Sequence, residues 1–255
     1  MSNSRISNQD FLRALESGAV RAAVKKEDWI INREIKEGIL RVFKESPIID
    51  MGSLDQPHYR GYVDKEDLPV RMFKPEDGVR IVPGGSAVRT GAYIGRRVVI
   101  MPPSYVNVGA YIDDDTMIDH HVLIGSCAQI GKKVHISASV QICGVLEPIG
   151  DRPVIIEDNC FIGVGAIIAE GMLIRESAVI APNVVLSKAV PIYDVVHQMI
   201  YRGEVPSNAV VIAGTRAFSN GVWAKDHGLS LNCAIIVKYR DPKTELSVEL
   251  ESALR

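Results

Sequence analysis

The sequence predicts a mainly β fold: a parallel β-helix of hexapeptide repeats, preceded by a small helical domain and followed by a strand extension. The first observation is a Val or Ile at every sixth position of the middle of the chain. These residues are Val82, Val88, Ile94, Ile100, Val106, Ile112, Ile118, Ile124, Ile130, Ile136 and Ile142. The second is a small or β-branched residue two positions earlier, from Ser86 to Val140. A six-residue period fits neither a helix nor a simple strand, but it fits the flat side of a β-helix coil.

The repeat is interrupted once, between Ile142 and Ile156, and then continues to Ile192. The interruption contains the segment 143–153, which is rich in Gly and Pro, residues typical of turns. We expect this segment to loop out of one corner and to carry function. The alternative is a tolerated insertion without a role, because surface loops accept extra residues at low entropic cost.

Three regions follow from these patterns. Residues 1–78 are expected to form a mainly helical cap, residues 79–213 the β-helix with its loop 143–153, and residues 214–255 a C-terminal extension. The cap is predicted from two apolar stripes of helical spacing: Phe11, Leu12, Leu15 and Ala19 after the capping residues Ser7 and Asn8, then Ile35, Ile39, Val42 and Phe43. The extension contains an apolar strand within 229–239 and is expected to cover the end of the solenoid and line a ligand groove.

Composition excludes several classes of function. The chain has 29 basic and 31 acidic residues without long blocks of one sign, which does not indicate a nucleic-acid or membrane surface. Met1–Asp10 lacks the pattern of a signal peptide, and no apolar run is long enough to span a membrane, so we expect a cytoplasmic protein. The four cysteines are far apart, which favours free thiols over disulfides or a metal site. The expected partners are small molecules and further copies of the chain.

Several segments resemble one family of enzymes over residues 12–240. The segments include Leu15-Glu-Ser-Gly-Ala-Val-Arg21, Arg80-Ile-Val-Pro83, Thr116-Met-Ile-Asp119, Gly144-Val-Leu-Glu-Pro148 and Cys233-Ala-Ile-Ile-Val-Lys238. Together they resemble the tetrahydrodipicolinate N-succinyltransferases, which belong to the left-handed β-helix acyltransferases. The resemblance implies a left-handed coil, a homotrimer with active sites between neighbouring subunits, and no permanently bound cofactor. It also implies transfer of a succinyl group from succinyl-CoA to an amine in lysine and diaminopimelate biosynthesis.

The sequence departs from the family at two places. The aspartate of Thr116-Met-Ile-Asp119 is followed by His120 and His121, where the family has Thr-Trp. The family's proposed catalytic glutamate falls on Ile167, within a stretch closer to that of acetyl-transferring relatives. Glu170, three residues later, is a candidate substitute.

Acyl transfer to an amine requires a carboxylate that holds the ammonium and accepts its proton, and Asp119 is the candidate. Without the resemblance, the commoner role of such a residue is a solvated turn aspartate. Arg80 matches a family arginine that binds a substrate carboxylate, for which the planar guanidinium is suited. Backbone N–H groups at Gly144 or Ser126 are candidates for stabilising the oxyanion. The predicted contacts for the acyl-CoA are Gly144, Gly214, Arg216 and Lys238.

Alternatives remain at this point. The first is an acetyl-CoA-dependent N-acetyltransferase, which needs no cationic pocket for the distal carboxylate of a succinyl donor. A zinc-dependent carbonic anhydrase of the β-helix type needs three converging histidines, and the spacing of the histidines here does not provide them. A non-catalytic solenoid would be favoured by long threonine ladders, which the sequence lacks.

Overall fold

The N-terminal part of the molecule is a cap of two helices and two short hairpins. The computed structural model describes residues 6–54, 61–218 and 221–240. The cap elements are α1 (Asn8–Glu16), β1 (Ala23–Lys25), β2 (Trp29–Ile31), α2 (Arg33–Glu45), β3 (Ile48–Asp50) and β4 (Val63–Lys65), with 3-10 turns at Met51–Leu54 and Pro75–Asp77. Ser7 caps α1 as predicted, because its hydroxyl accepts the N–H of Asp10 at 3.1 Å. Ala19 lies beyond the end of α1 and is exposed, so its predicted place in the apolar stripe is wrong.

The middle of the chain is a stack of very short parallel strands. They are β5 (Arg80–Ile81), β6 (Ala87–Val88), β7 (Tyr93–Ile94), β8 (Val99–Ile100), β9 (Tyr105–Val106), β10 (Tyr111–Ile112), β11 (Met117–Ile118), β12 (Leu123–Ile124), β13 (Gln129–Ile130), β14 (His135–Ile136), β15 (Gln141–Ile142), β16 (Ile155–Ile156), β17 (Phe161–Ile162), β18 (Ile167–Ile168), β19 (Leu173–Ile174), β20 (Val179–Ile180) and β21 (Val185–Leu186). Tyr93 pairs with Tyr111, and Tyr111 pairs with Gln129, so paired positions are 18 residues apart. Three hexapeptides therefore make one coil.

The coils form a three-sided left-handed prism, as the resemblance implied. The first face contains β5, β8, β11, β14, β17 and β20; the second contains β6, β9, β12, β15, β18 and β21; the third contains β7, β10, β13, β16 and β19. We name the turn from the first to the second face the first corner, the turn from the second to the third face the second corner, and the turn back to the first face the third corner. These corners carry the residues that are available for chemistry.

The interior of the prism is filled by the residues that define the repeat. From Ile100 to Ile142, the predicted inward residues are completely buried. The first predicted position, Val82, is wrong, because Ile81 is the residue that pairs with Ile100 and packs on the core. The chain between Ile81 and Val88 is one residue longer than a regular repeat and includes Gly84 at φ +147° and Gly85 at φ +94°.

Most corners contain a residue in the left-handed backbone region; the corner at 101–104 instead contains a cis peptide bond between Pro102 and Pro103. Between the second and fourth coils these residues are Gly109, Asp115, His121, Cys127, Lys133 and Ser139, with φ between +54° and +75°. This conformation costs a non-glycine residue about 1–2 kcal/mol. The cost is offset because the turn directs the next β-branched or small residue into the core.

A long hairpin continues the first face beyond the prism. After β22 (Ile192–Asp194), β23 (Met199–Tyr201) and β24 (Glu204–Val205), the chain forms β25 (Ala209–Ala217), α3 (Val222–Asp226) and β26 (Ser230–Tyr239). Strand β25 pairs with β20 in parallel and with β26 in antiparallel orientation. The predicted C-terminal strand is confirmed by β26. The predicted boundary between 213 and 214 lies inside β25, and residues 241–255 of the predicted extension lie outside the described residues.

The cap packs on the second corner and on the third face. Phe11, Leu12 and Ile39 form one cluster with Val108 and Cys127 at the second corner. Gly109 allows this approach, because a Cβ at this position would lie 2.6 Å from the Cδ1 of Ile39. On the third face, Ala23 and Trp29 contact Ile155 and Leu173. The first corner and most of the second face therefore remain outside these cap contacts.

Candidate active site

Asp119 lies at the first corner, directly after the inward residue Ile118 at the end of β11. Its backbone is held from both sides of the coil stack. The N–H of Asp119 donates to the carbonyl of Ile136 at 2.9 Å, and its carbonyl accepts the hydroxyl of the buried Ser104 at 2.8 Å. The next carbonyl, that of His120, accepts the N–H of Ser139 at 2.8 Å. The corner is a rigid base for the Asp119 carboxylate.

The carboxylate of Asp119 contacts the residue that follows it. Its Oδ1 accepts the backbone N–H of His120 at 2.8 Å and lies 2.6 Å from the Nδ1 of the same residue. Partial burial acts to raise the pKa of Asp119, but the two hydrogen bonds from His120 and the charges of His120 and His135 hold this pKa below its usual value. Asp119 is therefore ionised at neutral pH, and 29% of its side chain is exposed.

His135 lies beside this pair, on the next coil of the first face. Its ring stacks on the ring of Phe161 with centroids 5.0 Å apart and an angle of 12° between the planes. Burial lowers the pKa of His135, and the negative charge of Asp119 opposes this shift. The imidazole of His135 is therefore largely neutral at neutral pH.

Arg80 lies on the same face as Asp119, on the outward side of β5. Only β8 separates β5 from β11, so the two strands are about 10 Å apart at the usual strand spacing. The side chain of Arg80 is exposed. The structure thus brings Arg80 and Asp119 to one surface of the prism.

Glu170 lies at the second corner, away from Asp119. Its Oε2 accepts the backbone N–H of Lys188 at 3.1 Å, and its own φ is +52°. Within one chain, the structure does not bring the two predicted catalytic carboxylates to the same corner. Ile167, where the resemblance implies a glutamate, points outward from the second face with 37% of its surface exposed.

The segment 143–153 projects at the second corner, as predicted. It lies between β15 and β16, and the strands around it pair across 26 positions instead of 18. Gly144 packs directly on the preceding coil, because a Cβ on Gly125 would lie 2.1 Å from the nitrogen of Gly144. Among the described residues, neither the N–H of Gly144 nor that of Ser126 donates to a backbone carbonyl.

Two cationic side chains hold this loop, and sequence reasoning missed both. The Nζ of the fully buried Lys36, on α2, donates to the carbonyl of Asp151. Arg152 donates from Nε to the carbonyl of Gly171 at 2.8 Å and from Nη2 to that of Gly203 at 2.6 Å. Burial lowers the pKa of Lys36, and electrostatic interactions with Cys127 and Asp151 partly oppose this shift. No local pattern marks Lys36, because lysines are common on exposed helix faces.

The remaining predicted acyl-CoA contacts lie on the C-terminal hairpin. Gly214 pairs with Cys233, Arg216 with Leu231, and Lys238 with Val210. Since Val210 and Arg216 are six residues apart on one strand, Arg216 and Lys238 lie about 20 Å from each other. Within one chain the structure does not bring either of them together with Gly144, which lies at the second corner.

A groove of about 680 Å³ opens between the cap and the first coils, and sequence reasoning did not identify it. It is lined mostly by apolar side chains, including Phe73, Ile81 and Tyr105. Its arginines are already engaged within the chain: Arg89 forms an ion pair with Asp64, and Arg71 donates to the carbonyl of Ala92.

The described residues contain no group of three or more His, Cys, Asp or Glu side chains arranged to hold a metal ion. They also contain no helix with the length and apolar character needed to cross a membrane.

Comparison with known proteins identifies the family. Residues 153–188 match a family model described as the hexapeptide repeat of succinyl-transferase. A 2,3,4,5-tetrahydropyridine-2,6-dicarboxylate N-succinyltransferase of Paraburkholderia phymatum is 41% identical over 96% of this chain and 86% of its own. Proteins of the same name from Acinetobacter baylyi and Idiomarina loihiensis are 41% and 40% identical over 97% and 99% of this chain, and over 88% and 92% of theirs.

The chain belongs to this N-succinyltransferase family. The resemblance inferred from the motifs is thereby confirmed, together with the hexapeptide fold and the assignment as an acyltransferase. At the first corner, the candidate residue Asp119 is followed by two histidines, His120 and His121. Ile167 stands where the resemblance implies a glutamate.

We expect Lys36→Met to loosen the loop 143–153. Methionine keeps most of the length but leaves the carbonyl of Asp151 without its buried donor. Local amide exchange in the loop should increase about 2- to 10-fold, as expected for the loss of one hydrogen bond. The control is Lys188→Met, since Lys188 contacts the Oδ2 of the same Asp151 at 3.3 Å but is 44% exposed. Equal exchange in both variants and wild type, measured by mass spectrometry, would contradict the anchoring role.

Proposed function

We propose that this protein transfers the succinyl group of succinyl-CoA to the amine of tetrahydrodipicolinate, in its ring-opened form 2-amino-6-oxopimelate, in lysine and diaminopimelate biosynthesis. The observation that carries the proposal is the identity of about 40% with enzymes of this name along nearly the whole chain. The co-substrate is succinyl-CoA, and no permanently bound cofactor takes part. We place the reaction in the cytoplasm, where CoA thioesters are formed.

The proposed reaction is a direct attack of the amine on the thioester. The nitrogen forms a bond to the acyl carbon, the carbon–sulfur bond breaks, and the CoA thiol leaves with a proton. Asp119 supplies the negative charge that holds the acceptor amine and assists its deprotonation. Arg80, on the same face, binds a carboxylate of the acceptor through its guanidinium. Among the described residues, the N–H groups of Ser126 and Gly144 donate to no backbone carbonyl, which supports a role in stabilising the oxyanion.

The donor groove is proposed to lie along the loop 143–153, with Gly144, Gly214, Arg216 and Lys238 as contacts. The cationic side chains of Arg216 and Lys238 suit the phosphates of CoA. Because Gly144 and the hairpin are apart within one chain, this proposal requires two chains to form one groove. Glu170, at the second corner, is a second candidate for the catalytic carboxylate.

One observation favours a second donor, acetyl-CoA. Ile167 provides an exposed apolar surface where the resemblance implies a carboxylate, and it stands within the stretch that is closer to acetyl-transferring relatives. A succinyl donor carries a distal carboxylate that needs cationic or N–H partners, whereas an acetyl donor does not.

The donor is tested by measuring CoA release with tetrahydrodipicolinate as acceptor. We expect kcat/KM to be at least about 10-fold higher with succinyl-CoA than with acetyl-CoA, because hydrogen bonds to a charged group contribute about 1.5–3 kcal/mol. The control omits the acceptor, so that thioester hydrolysis can be subtracted. A higher kcat/KM with acetyl-CoA would show that acetyl-CoA, and not succinyl-CoA, is the donor. If neither thioester releases CoA in an acceptor-dependent manner, the proposed reaction is wrong.

Asp119→Asn should lower kcat about 100- to 10,000-fold, the range for loss of a group that assists proton transfer. Folding should be retained, because the side chain points away from the core, and thermal unfolding checks this. Activity should partly return at high pH, where the free amine is abundant without assistance. Glu170→Gln is the matched comparison. A larger loss in Glu170→Gln than in Asp119→Asn would move the catalytic carboxylate to the second corner.

We also propose that the protein is a homotrimer. The second face carries an outward apolar row in which Tyr105, Ile167 and Val185 are each 37% exposed, and closure around a three-fold axis would cover it. Light scattering should give three times the 27.9 kDa of one chain. Replacing Ile167 with Lys should weaken the trimer, whereas a stable monomer of the wild-type protein at micromolar concentration would refute it.

A further inference from the structure

The first corner contains an aspartate–imidazole pair that the sequence comparison did not assign to any role. The Nδ1 of His120 is 2.6 Å from the Oδ1 of Asp119, and the backbone N–H of His120 donates to the same oxygen. The side chain of His120 is 48% exposed, and that of Asp119 is 29% exposed. The imidazole therefore lies on the solvent side of the carboxylate, where an acceptor would arrive.

The contact fixes the tautomer of His120. An ionised carboxylate can only accept hydrogen bonds, so the Nδ1 atom must carry the proton that is shared with Asp119. In the neutral ring the Nε2 atom is then left with a lone pair. Because the two backbone hydrogen bonds to Asp119 and His120 come from Ser104 and Ser139 on the neighbouring coils, the pair is held in place on both sides.

We infer that His120, oriented by Asp119, is the catalytic base that receives the proton of the attacking amine. The inference rests on the proposed acyl transfer. As the nitrogen–carbon bond forms, the amine proton moves to Nε2, and the ring becomes an imidazolium next to the Asp119 carboxylate. As the carbon–sulfur bond breaks, the same proton moves to the departing sulfur. The products are the amide and the CoA thiol, and His120 returns to its neutral form.

The charged groups around the pair are few. On its own corner the neighbours are Asp119 and the exposed His121. The next coil contributes His135, whose imidazole is close enough to interact electrostatically with Asp119, together with Ser137 and Ser139, which are not ionisable. The preceding coil contributes Pro102, Pro103 and Ser104, none of which is ionisable. Asp119 is therefore the anion that compensates the imidazolium among the described residues of this corner.

The test compares His120→Asn with His121→Asn. Asparagine places an N–H donor near the former Nδ1 and so can keep the contact with Asp119, but it cannot accept the amine proton. His121 is the matched control, because it is also exposed, it is adjacent, and its φ of +58° is tolerated by asparagine. We expect His120→Asn to lower kcat about 100- to 10,000-fold with little change in KM, and His121→Asn to remain within about 3-fold of wild type.

The pH profile provides a second readout. Wild type and His120→Asn should differ in how kcat/KM depends on pH, because only the wild type has an imidazole that can receive the amine proton. Activity of His120→Asn within about 3-fold of wild type would overturn the inference and leave Asp119 as the direct base. If wild type itself transfers no acyl group, the proposed function fails. Nitrogen-15 NMR of His120 then tests the inferred tautomer separately, and a neutral ring protonated at Nε2 instead of Nδ1 would show that Asp119 does not orient His120 as inferred.

Discussion

The structure depends on one geometric constraint, the direction of the side chain that follows each corner. A residue with positive φ turns the chain at most corners, and the next residue enters the core two positions before the buried Ile or Val. Because parallel strands pair 18 residues apart, every coil places its core residues on those of the coil before. A single coil could not bury its apolar side chains alone, but stacked coils bury them in one continuous core.

This constraint leaves only the corners and the outward positions for chemistry. The inward positions are filled by apolar side chains and by small hydroxyl side chains such as Ser104 and Thr116, so a larger functional group can be added only where the chain turns or where a side chain points out. The second corner accepts an insertion because the strands on both sides of segment 143–153 keep their register across it. The insertion is then fixed by backbone carbonyls that bind Lys36 and Arg152, and not by apolar packing alone.

The cap divides the surface of the prism into covered and open parts. The stacking of Arg21 on the ring of Tyr111, at 3.5 Å from its centroid, and the hydrogen bond from Trp29 to Glu157 at 2.8 Å attach the cap to the outward side of the prism around the third face. Glu157 also pairs with Lys25 at 2.9 Å. Since these contacts are made within one chain, the cap itself covers this part of the third face. Asp119, His120 and the apolar row of the second face are outside them, which is why the proposed chemistry and the proposed subunit contact lie there.

The six-residue period by itself determined the prism, the place of its single large insertion, and the identity of nearly all core residues. This was possible because each hexapeptide repeats the same local geometry and its core positions need only local spacing. The error at Val82 arose where two glycines lengthen the first turn by one residue, which periodicity cannot detect. The motif around Asp119 was also readable, through its resemblance to a family. Only the tertiary structure decided that Asp119 and Glu170 occupy different corners and that Lys36 is buried against the loop. It also decided that the Nδ1 of His120 contacts the carboxylate of Asp119. These three facts depend on how the coils stack and on how individual side chains turn, and the spacing of residues along the chain encodes neither of these.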